Sequence, residues 1–106
     1  MKKEKYFQLS RTAVEKLAEE FGTPLLVLSL KEVKKSYNVL RKYLPRVKVH
    51  YAIKSNPHPE MLRVMAELGS CFDVASEGEI YTLHEMGCEG YRMMYANPVK
   101  LGVGLE

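Results

Sequence analysis

The sequence predicts an α/β fold in which parallel strands alternate with helices. Short apolar runs typical of buried strands recur at even intervals, amphipathic segments of helical period separate them, and capping residues or prolines mark the helix starts. Strands joined by crossover helices pair in parallel and are covered on their faces. Two architectures fit: a small open sheet, or the first part of a (β/α)8 TIM-like barrel, which as a whole needs about 250 residues.

The first half of the chain is predicted to hold two helices and two strands. Thr12 and Glu15 have the spacing of a capping box, and an apolar stripe follows at helical spacing: Val14, Leu17, Ala18 and Phe21. The run 25–28 is apolar throughout and predicts a buried strand. A second capping box at Ser29 opens a helix whose predicted buried face is Val33, Tyr37, Leu40 and Leu44. The segment 47–53 predicts the second strand.

The second half repeats the pattern. Pro59 suits the first position of a helix. The segment 71–75 predicts a third strand, Ser76 leads a third capping box with Glu79, and 91–96 predicts a fourth strand. The predicted order is therefore a helix, three strand–helix units and a final strand.

Composition places the chain among globular domains. Its 106 residues are 46% hydrophobic and 27% charged, which excludes a disordered or collagen-like chain. No apolar run reaches the length of a membrane span, and no apolar signal core follows the basic start, so we expect a cytoplasmic protein without a membrane partner. Cys71 and Cys88 lack CxxC spacing, which favours reduced core residues over a disulfide.

Charge is divided unevenly along the chain. Residues 1–50 carry a net charge of +7 and residues 51–106 carry −4. A basic half can indicate nucleic-acid binding. No groove-reading motif accompanies the charge, so the solvent-exposed face of one helix accounts for it better, and we expect no nucleic-acid partner.

Three polar residues stand where parallel α/β folds collect functional groups, at the C-terminal ends of strands. Lys54 directly follows a predicted strand, Asp73 interrupts another, and Glu79 lies in the first turn of the next helix. A partly desolvated lysine is a good nucleophile toward a carbonyl, and neighbouring carboxylates would orient it. Each also has a structural interpretation: Lys54 can reach water from a strand end, and Asp73 and Glu79 can serve as capping acids.

Metal binding is not expected. His50, His58 and His84 form no HxH or HxxxH grouping, and Gly102 with Gly104 does not make a phosphate-binding loop.

Four stretches together resemble one enzyme family. They are 51–56 (YAIKSN), 21–25 (FGTPL), 68–80 (LGSCFDVASEGEI) and 95–100 (YANPVK), and they agree with it in order and spacing. The family is that of the pyridoxal-phosphate-dependent ornithine, lysine, arginine and diaminopimelate decarboxylases, with an alanine-racemase-like barrel of fold type III.

The resemblance implies roles for individual residues. Lys54 matches the lysine that forms a Schiff base with the aldehyde of pyridoxal 5′-phosphate. Asp73 and Glu79 match acids that lie close to that lysine, with Asp73 also counted among the cofactor-binding residues, and Ala52 packs near the cofactor ring. The expected activity is decarboxylation of a small basic amino acid, foremost ornithine, as in polyamine biosynthesis.

The resemblance also implies that residues 1–106 are one partial domain, the N-terminal half of the cofactor-binding barrel. The family's phosphate loop, the acid that pairs with the pyridine nitrogen and the C-terminal β-domain all lie downstream. We therefore expect the isolated chain to lack turnover and to self-associate through its incomplete barrel, and the full-length form to be a homodimer. Asn97 and Lys100 match a family stretch without an assigned role, and 101–106 depart from its pattern.

Three alternatives stay open at this point. The chain can be part of a diaminopimelate decarboxylase, because the residues that choose the substrate lie downstream. It can belong to a non-catalytic regulator that kept the decarboxylase fold, although such a protein has no need of Lys54. It can also be a small open-sheet domain without a cofactor.

Overall fold

The computed structural model of the protein describes residues 8–95, which form an α/β fold with one parallel sheet. Helices precede and separate the strands, as the sequence predicts, and two short 3-10 turns lead out of the first strand and into the third. The elements are α1 (Arg11–Phe21), α2 (Leu30–Tyr43), β1 (His50–Ala52), α3 (Pro59–Glu67), β2 (Cys71–Val74), α4 (Glu77–Glu85) and β3 (Met93–Tyr95), with the turns at Ile53–Ser55 and Gly90–Arg92.

The sheet has the order β1-β2-β3, and both pairs of strands are parallel. Each strand therefore lies beside its predecessor, after a crossover through α3 or α4. This sequential order is the way in which a (β/α)8 barrel builds up around its axis. It confirms the predicted fold class, parallel strand–helix repeats of the kind that open such a barrel.

One face of the sheet is covered by helices and forms the core. Phe72 and Val74 of β2 are 0% and 1% exposed and cluster with Leu62 of α3 and Leu83 of α4. Because side chains alternate along a strand, Cys71 and Asp73 lie on the opposite face. Cys71 and Cys88 are both buried and free, as predicted, and Cys88 belongs to the core cluster.

Capping explains most of the helix starts. The Ser29 hydroxyl accepts the Glu32 N–H at 3.3 Å and the Ser76 hydroxyl accepts the Glu79 N–H at 3.2 Å, so both of these predicted capping motifs are confirmed. Pro59 is the first residue of α3, also as predicted.

The prediction for the first helix start was wrong by two residues. Ser10, not Thr12, caps α1, because its hydroxyl accepts the Ala13 N–H at 3.2 Å. Thr12 lies inside the first turn, where Arg11 and Glu15 pair at 3.0 Å on the helix surface.

The predicted first strand is also wrong. Residues 25–28 are irregular, and their four apolar side chains are 40–93% exposed, with Leu26 the most exposed. A strand exists only with a ladder partner, and within residues 8–95 no strand pairs with residues 25–28 or with the outer edge of β1. Between that edge and α2 lies an apolar groove of about 480 Å³ whose lining includes Leu28 and Tyr51.

The apolar faces of α1 and α2 are also left exposed to solvent. In α1 the side chains of Val14 and Phe21 are 50% and 64% exposed. Leu40 in α2 and Leu44 directly after it are 42% and 46% exposed. Of the predicted face of α2, Tyr37 alone is buried. The amphipathic pattern is present in both helices, but burial needs a second layer to cover it.

The strands are shorter in the structure than the sequence predicts. The second strand reaches only from His50 to Ala52 before the 3-10 turn begins, and the fourth begins at Met93. Ala96, Asn97 and Lys100 lie outside the described residues. Within residues 8–95, no helix has the length and apolar character needed to cross a membrane.

Candidate active site

The candidate site lies at the carboxyl ends of β1 and β2. Ala52, the last residue of β1, is the register partner of Asp73 in β2, and Asp73 is in turn the partner of Met94 in β3. Register partners in a parallel pair lie on the same face of the sheet. Ala52 and Asp73 are therefore neighbours on the face opposite the helix-covered core, and both are half-buried.

Lys54 lies in the 3-10 turn that continues β1, two residues beyond Ala52. Its side chain is exposed, whereas the preceding Ile53 is 1% exposed and anchors the turn in the core. The turn closes through a hydrogen bond from the Asn56 N–H to the Ile53 carbonyl at 3.1 Å. Lys54 is therefore an exposed residue on a backbone segment that the buried Ile53 side chain and the Asn56–Ile53 hydrogen bond hold in place.

A further hydrogen bond spans this turn. The Tyr51 hydroxyl donates to the Asn56 carbonyl at 2.9 Å, across Lys54. A phenol is protonated at neutral pH and can donate this bond, and burial raises the pKa of Tyr51 further above its usual value of 10.0. Sequence reasoning did not identify this pair, because a contact between a strand tyrosine and a turn carbonyl has no sequence signature.

The loop after the turn is also bonded. The Asn56 side-chain oxygen accepts the His58 N–H at 3.1 Å, and the His58 Nδ1 accepts the Glu60 N–H at 3.1 Å as the cap of α3. An asparagine side chain that hydrogen-bonds the backbone two residues further along the chain is a common turn motif. This motif could have predicted the bond between Asn56 and the His58 N–H from the sequence.

Glu79 has both carboxylate oxygens engaged at the start of α4. One accepts the Ala75 N–H at 3.1 Å and the other accepts the Ser76 hydroxyl at 3.2 Å. The structure therefore supports the capping interpretation of this residue directly. Its contribution to a catalytic site stays a prediction.

The structure brings together only part of the predicted set. Ala52 and Asp73 are paired, and Lys54 follows on the same strand end. In the described chain, 8–95, Lys54 forms no ion pair with Asp73 or Glu79, since the ion pairs there join Arg11 to Glu15 and Arg63 to Glu60 and Glu67. In the same span, no three His, Cys, Asp or Glu side chains group as metal ligands would.

One family model matches most of the chain. Residues 30–105 match the family described as "Pyridoxal-dependent decarboxylase, pyridoxal binding domain". The chain belongs to this family. The family predicted from the four sequence stretches is therefore confirmed, and pyridoxal phosphate, the predicted cofactor, is the cofactor of this family's domain.

Similar proteins agree with this assignment. The chain is 52% identical over 102 residues to a lysine/ornithine decarboxylase of Selenomonas ruminantium, covering 96% of this chain and 26% of the relative. It is 36% identical to a diaminopimelate decarboxylase of Aquifex aeolicus, covering 79% and 20%. The lysine decarboxylase structure from Selenomonas ruminantium solved with PLP and cadaverine has a TM-score of 0.89 at 52% identity, covering 96% and 27%. The chain thus spans about a quarter of the length of these relatives.

The residues of the site fit part of such a cofactor. An exposed primary amine at Lys54 is the group that condenses with an aldehyde. The small side chain of Ala52 leaves room on the sheet face for a planar ring, and Asp73 places a carboxylate beside it. The donors that would hold a phosphate are not among these residues.

Proposed function

We propose that this chain supplies the cofactor-bearing lysine of a pyridoxal-phosphate-dependent decarboxylase of basic amino acids. The observation that carries the proposal is the position of Lys54, an exposed residue on the turn that continues β1 directly beyond the Ala52–Asp73 pair. The family match over residues 30–105 supports it independently.

In this proposal the residues of the chain hold the cofactor and orient the amine that binds it. Lys54 Nζ is the point of covalent attachment, and the Ala52 methyl group packs against the ring. Asp73 is the carboxylate proposed to orient the amine in the assembled site, although the two form no ion pair within residues 8–95, and Glu79 stabilises the strand-to-helix turn beside it through its capping bonds. When bound, pyridoxal phosphate supplies an electron-withdrawing ring that takes up the negative charge left as a substrate carboxylate departs.

The finer parts of the proposal concern substrate, domain and assembly. Similarity to a lysine/ornithine decarboxylase, at 52% identity against 36% for a diaminopimelate decarboxylase, supports lysine or ornithine as the substrate over diaminopimelate. Of these two we propose ornithine foremost. Residues 1–106 would form the N-terminal half of the barrel in a cytoplasmic, homodimeric enzyme whose other parts complete the phosphate and substrate contacts.

Covalent labelling tests the proposal at its centre. The 106-residue chain is mixed with pyridoxal 5′-phosphate and reduced with borohydride, and the modified lysines are identified by peptide mass analysis. We expect the label to concentrate on Lys54 over Lys48, an exposed lysine outside the site. The Lys54→Arg variant should lose this preferred label, because a guanidinium does not condense with the aldehyde under these conditions.

The matched control is Lys48→Arg, which should leave the label on Lys54 unchanged. If Lys54 carries no more label than Lys48 in the unsubstituted chain, the proposed function is wrong.

A further inference from the structure

The turn that carries Lys54 is enclosed by two residues that sequence reasoning did not single out. Tyr51 precedes the lysine by three positions and Asn56 follows it by two. The hydroxyl of Tyr51 donates to the carbonyl of Asn56 at 2.9 Å, so the bond closes a loop of backbone with Lys54 inside it.

Each end of this loop is tied to a different part of the fold. At one end, Tyr51 belongs to β1, where it pairs in register with Phe72 of the buried strand β2. At the other end, the Asn56 side chain accepts the His58 N–H at 3.1 Å and so joins the loop to the cap of α3. The lysine therefore projects from a segment fixed between the sheet and a helix.

We propose that Tyr51 and Asn56 are positioning residues for Lys54. Their hydrogen bonds hold the backbone of the 3-10 turn so that the amine reaches one place beside Ala52 and Asp73. The inference rests on the proposed function, because it assigns these residues to the cofactor amine of the same site.

The physical reason lies in the lysine side chain itself. Four methylene groups give it many rotamers, and in the described chain no ion pair restrains the amine. The positions that the Lys54 amine can occupy therefore depend on the position and direction of the backbone at residue 54. Losing a single hydrogen bond of this kind should lower the population of the backbone conformation that directs Lys54 toward the site about fivefold.

The test compares Tyr51→Phe with Tyr81→Phe. Tyr51→Phe removes only the hydroxyl that donates to the Asn56 carbonyl. Tyr81 is a 65% exposed tyrosine on α4 and serves as the matched control. For each chain, the pyridoxal 5′-phosphate concentration that gives half-maximal borohydride-trapped label is measured at Lys54 and, in the same sample, at Lys48.

We expect Tyr51→Phe to raise this concentration about fivefold at Lys54 and to leave it unchanged at Lys48, while Tyr81→Phe changes neither. The ratio of the half-maximal concentrations at Lys54 and Lys48 separates a positioning effect from a general loss of stability. In a variant that circular dichroism shows to be folded, the exposed amine of Lys48 should react as before, so only a positioning effect changes the ratio. Exchange of the Asn56 amide hydrogen should also become faster in Tyr51→Phe, because that amide closes the turn.

Two results would overturn the inference, and they differ in what else they affect. Preferred labelling of Lys54 that Tyr51→Phe leaves unchanged overturns the inference alone. Absence of preferred labelling in the unsubstituted chain overturns the proposed function and this inference together.

A second variant covers the case in which Tyr51→Phe does not fold. Asn56→Ala keeps the tyrosine and removes the side-chain bond to the His58 N–H. It should weaken labelling at Lys54 several-fold relative to Lys48, and an unchanged ratio in this folded variant would count against the inference.

Discussion

Single side chains determine how the site end and the opposite end of the sheet are held. At the opposite end, Arg92 donates from Nη2 to the Ala66 carbonyl at 2.8 Å and to the Ser70 carbonyl at 2.7 Å. Its guanidinium also lies 5.9 Å from the centre of the Phe72 ring. Arg92 thereby connects the entry into β3 with the end of α3 and the start of β2, which no local pattern in the sequence predicts.

Replacing Arg92 by Met should lower the free energy of unfolding by about 2 kcal/mol, because half-buried carbonyls lose charge-assisted donors. Urea unfolding of the 106-residue chain gives the measurement. Arg63→Met is the matched control, since Arg63 pairs with Glu60 and Glu67 on the helix surface and should matter less. Equal losses in the two variants would contradict the role assigned to Arg92.

At the scale of elements, capping and layer contacts act separately. The start of α4 is specified locally: Ser76 and Glu79 satisfy each other and free backbone N–H groups within four residues. The segment 25–28 shows the contrary case, because its strand-like composition does not produce a strand without a neighbouring ladder. Local chemistry thus set the helix starts more reliably than it set the edges of the sheet.

The Ser76→Ala variant should lose about 1 kcal/mol of stability, the usual effect of removing a serine N-cap. The Glu79 carboxylate would lose one of its partners in the same change. Thermal or urea unfolding measures the effect, and Ser36→Ala, in the exposed middle of α2, is a serine control expected to change little. A Ser76→Ala chain as stable as the control would show that the cap contributes nothing to α4.

At the scale of the whole molecule, the described residues form an incomplete layer structure. The three strands leave the outer edge of β1 open, and the apolar side chain of Leu26 is 93% exposed. Exposed apolar surface of this kind favours association. The expectation that the isolated chain self-associates remains a prediction, and it follows from the same surfaces.

Turnover is a prediction about the whole molecule. The 106-residue chain, mixed with pyridoxal 5′-phosphate and ornithine or lysine, should release no carbon dioxide above the Lys54→Arg background. The reason is that holding the phosphate needs donors which the site residues do not supply. The assay is validated with the Selenomonas lysine/ornithine decarboxylase. Substantial release that depends on Lys54 would contradict this expectation and make these residues sufficient for catalysis.

Local sequence alone was enough to predict the alternation of strands and helices, the caps at Ser29 and Ser76, the start of α3 at Pro59 and the motif around Lys54. Each of these depends on side chains within a few positions of one another, so composition and spacing carry the information. The shift of the α1 cap from Thr12 to Ser10 marks the limit, because two nearby hydroxyls competed for one helix start.

Which residues meet across the sheet could be read only from the folded chain. Folding paired Ala52 with Asp73, joined Tyr51 to Asn56 through a hydrogen bond, and left 25–28 without a strand partner among residues 8–95. It also engaged Glu79 in its cap while leaving the Lys54 amine outside any ion pair in residues 8–95. The physical reason is that register and burial depend on neighbours distant in sequence, whose presence no local pattern reports.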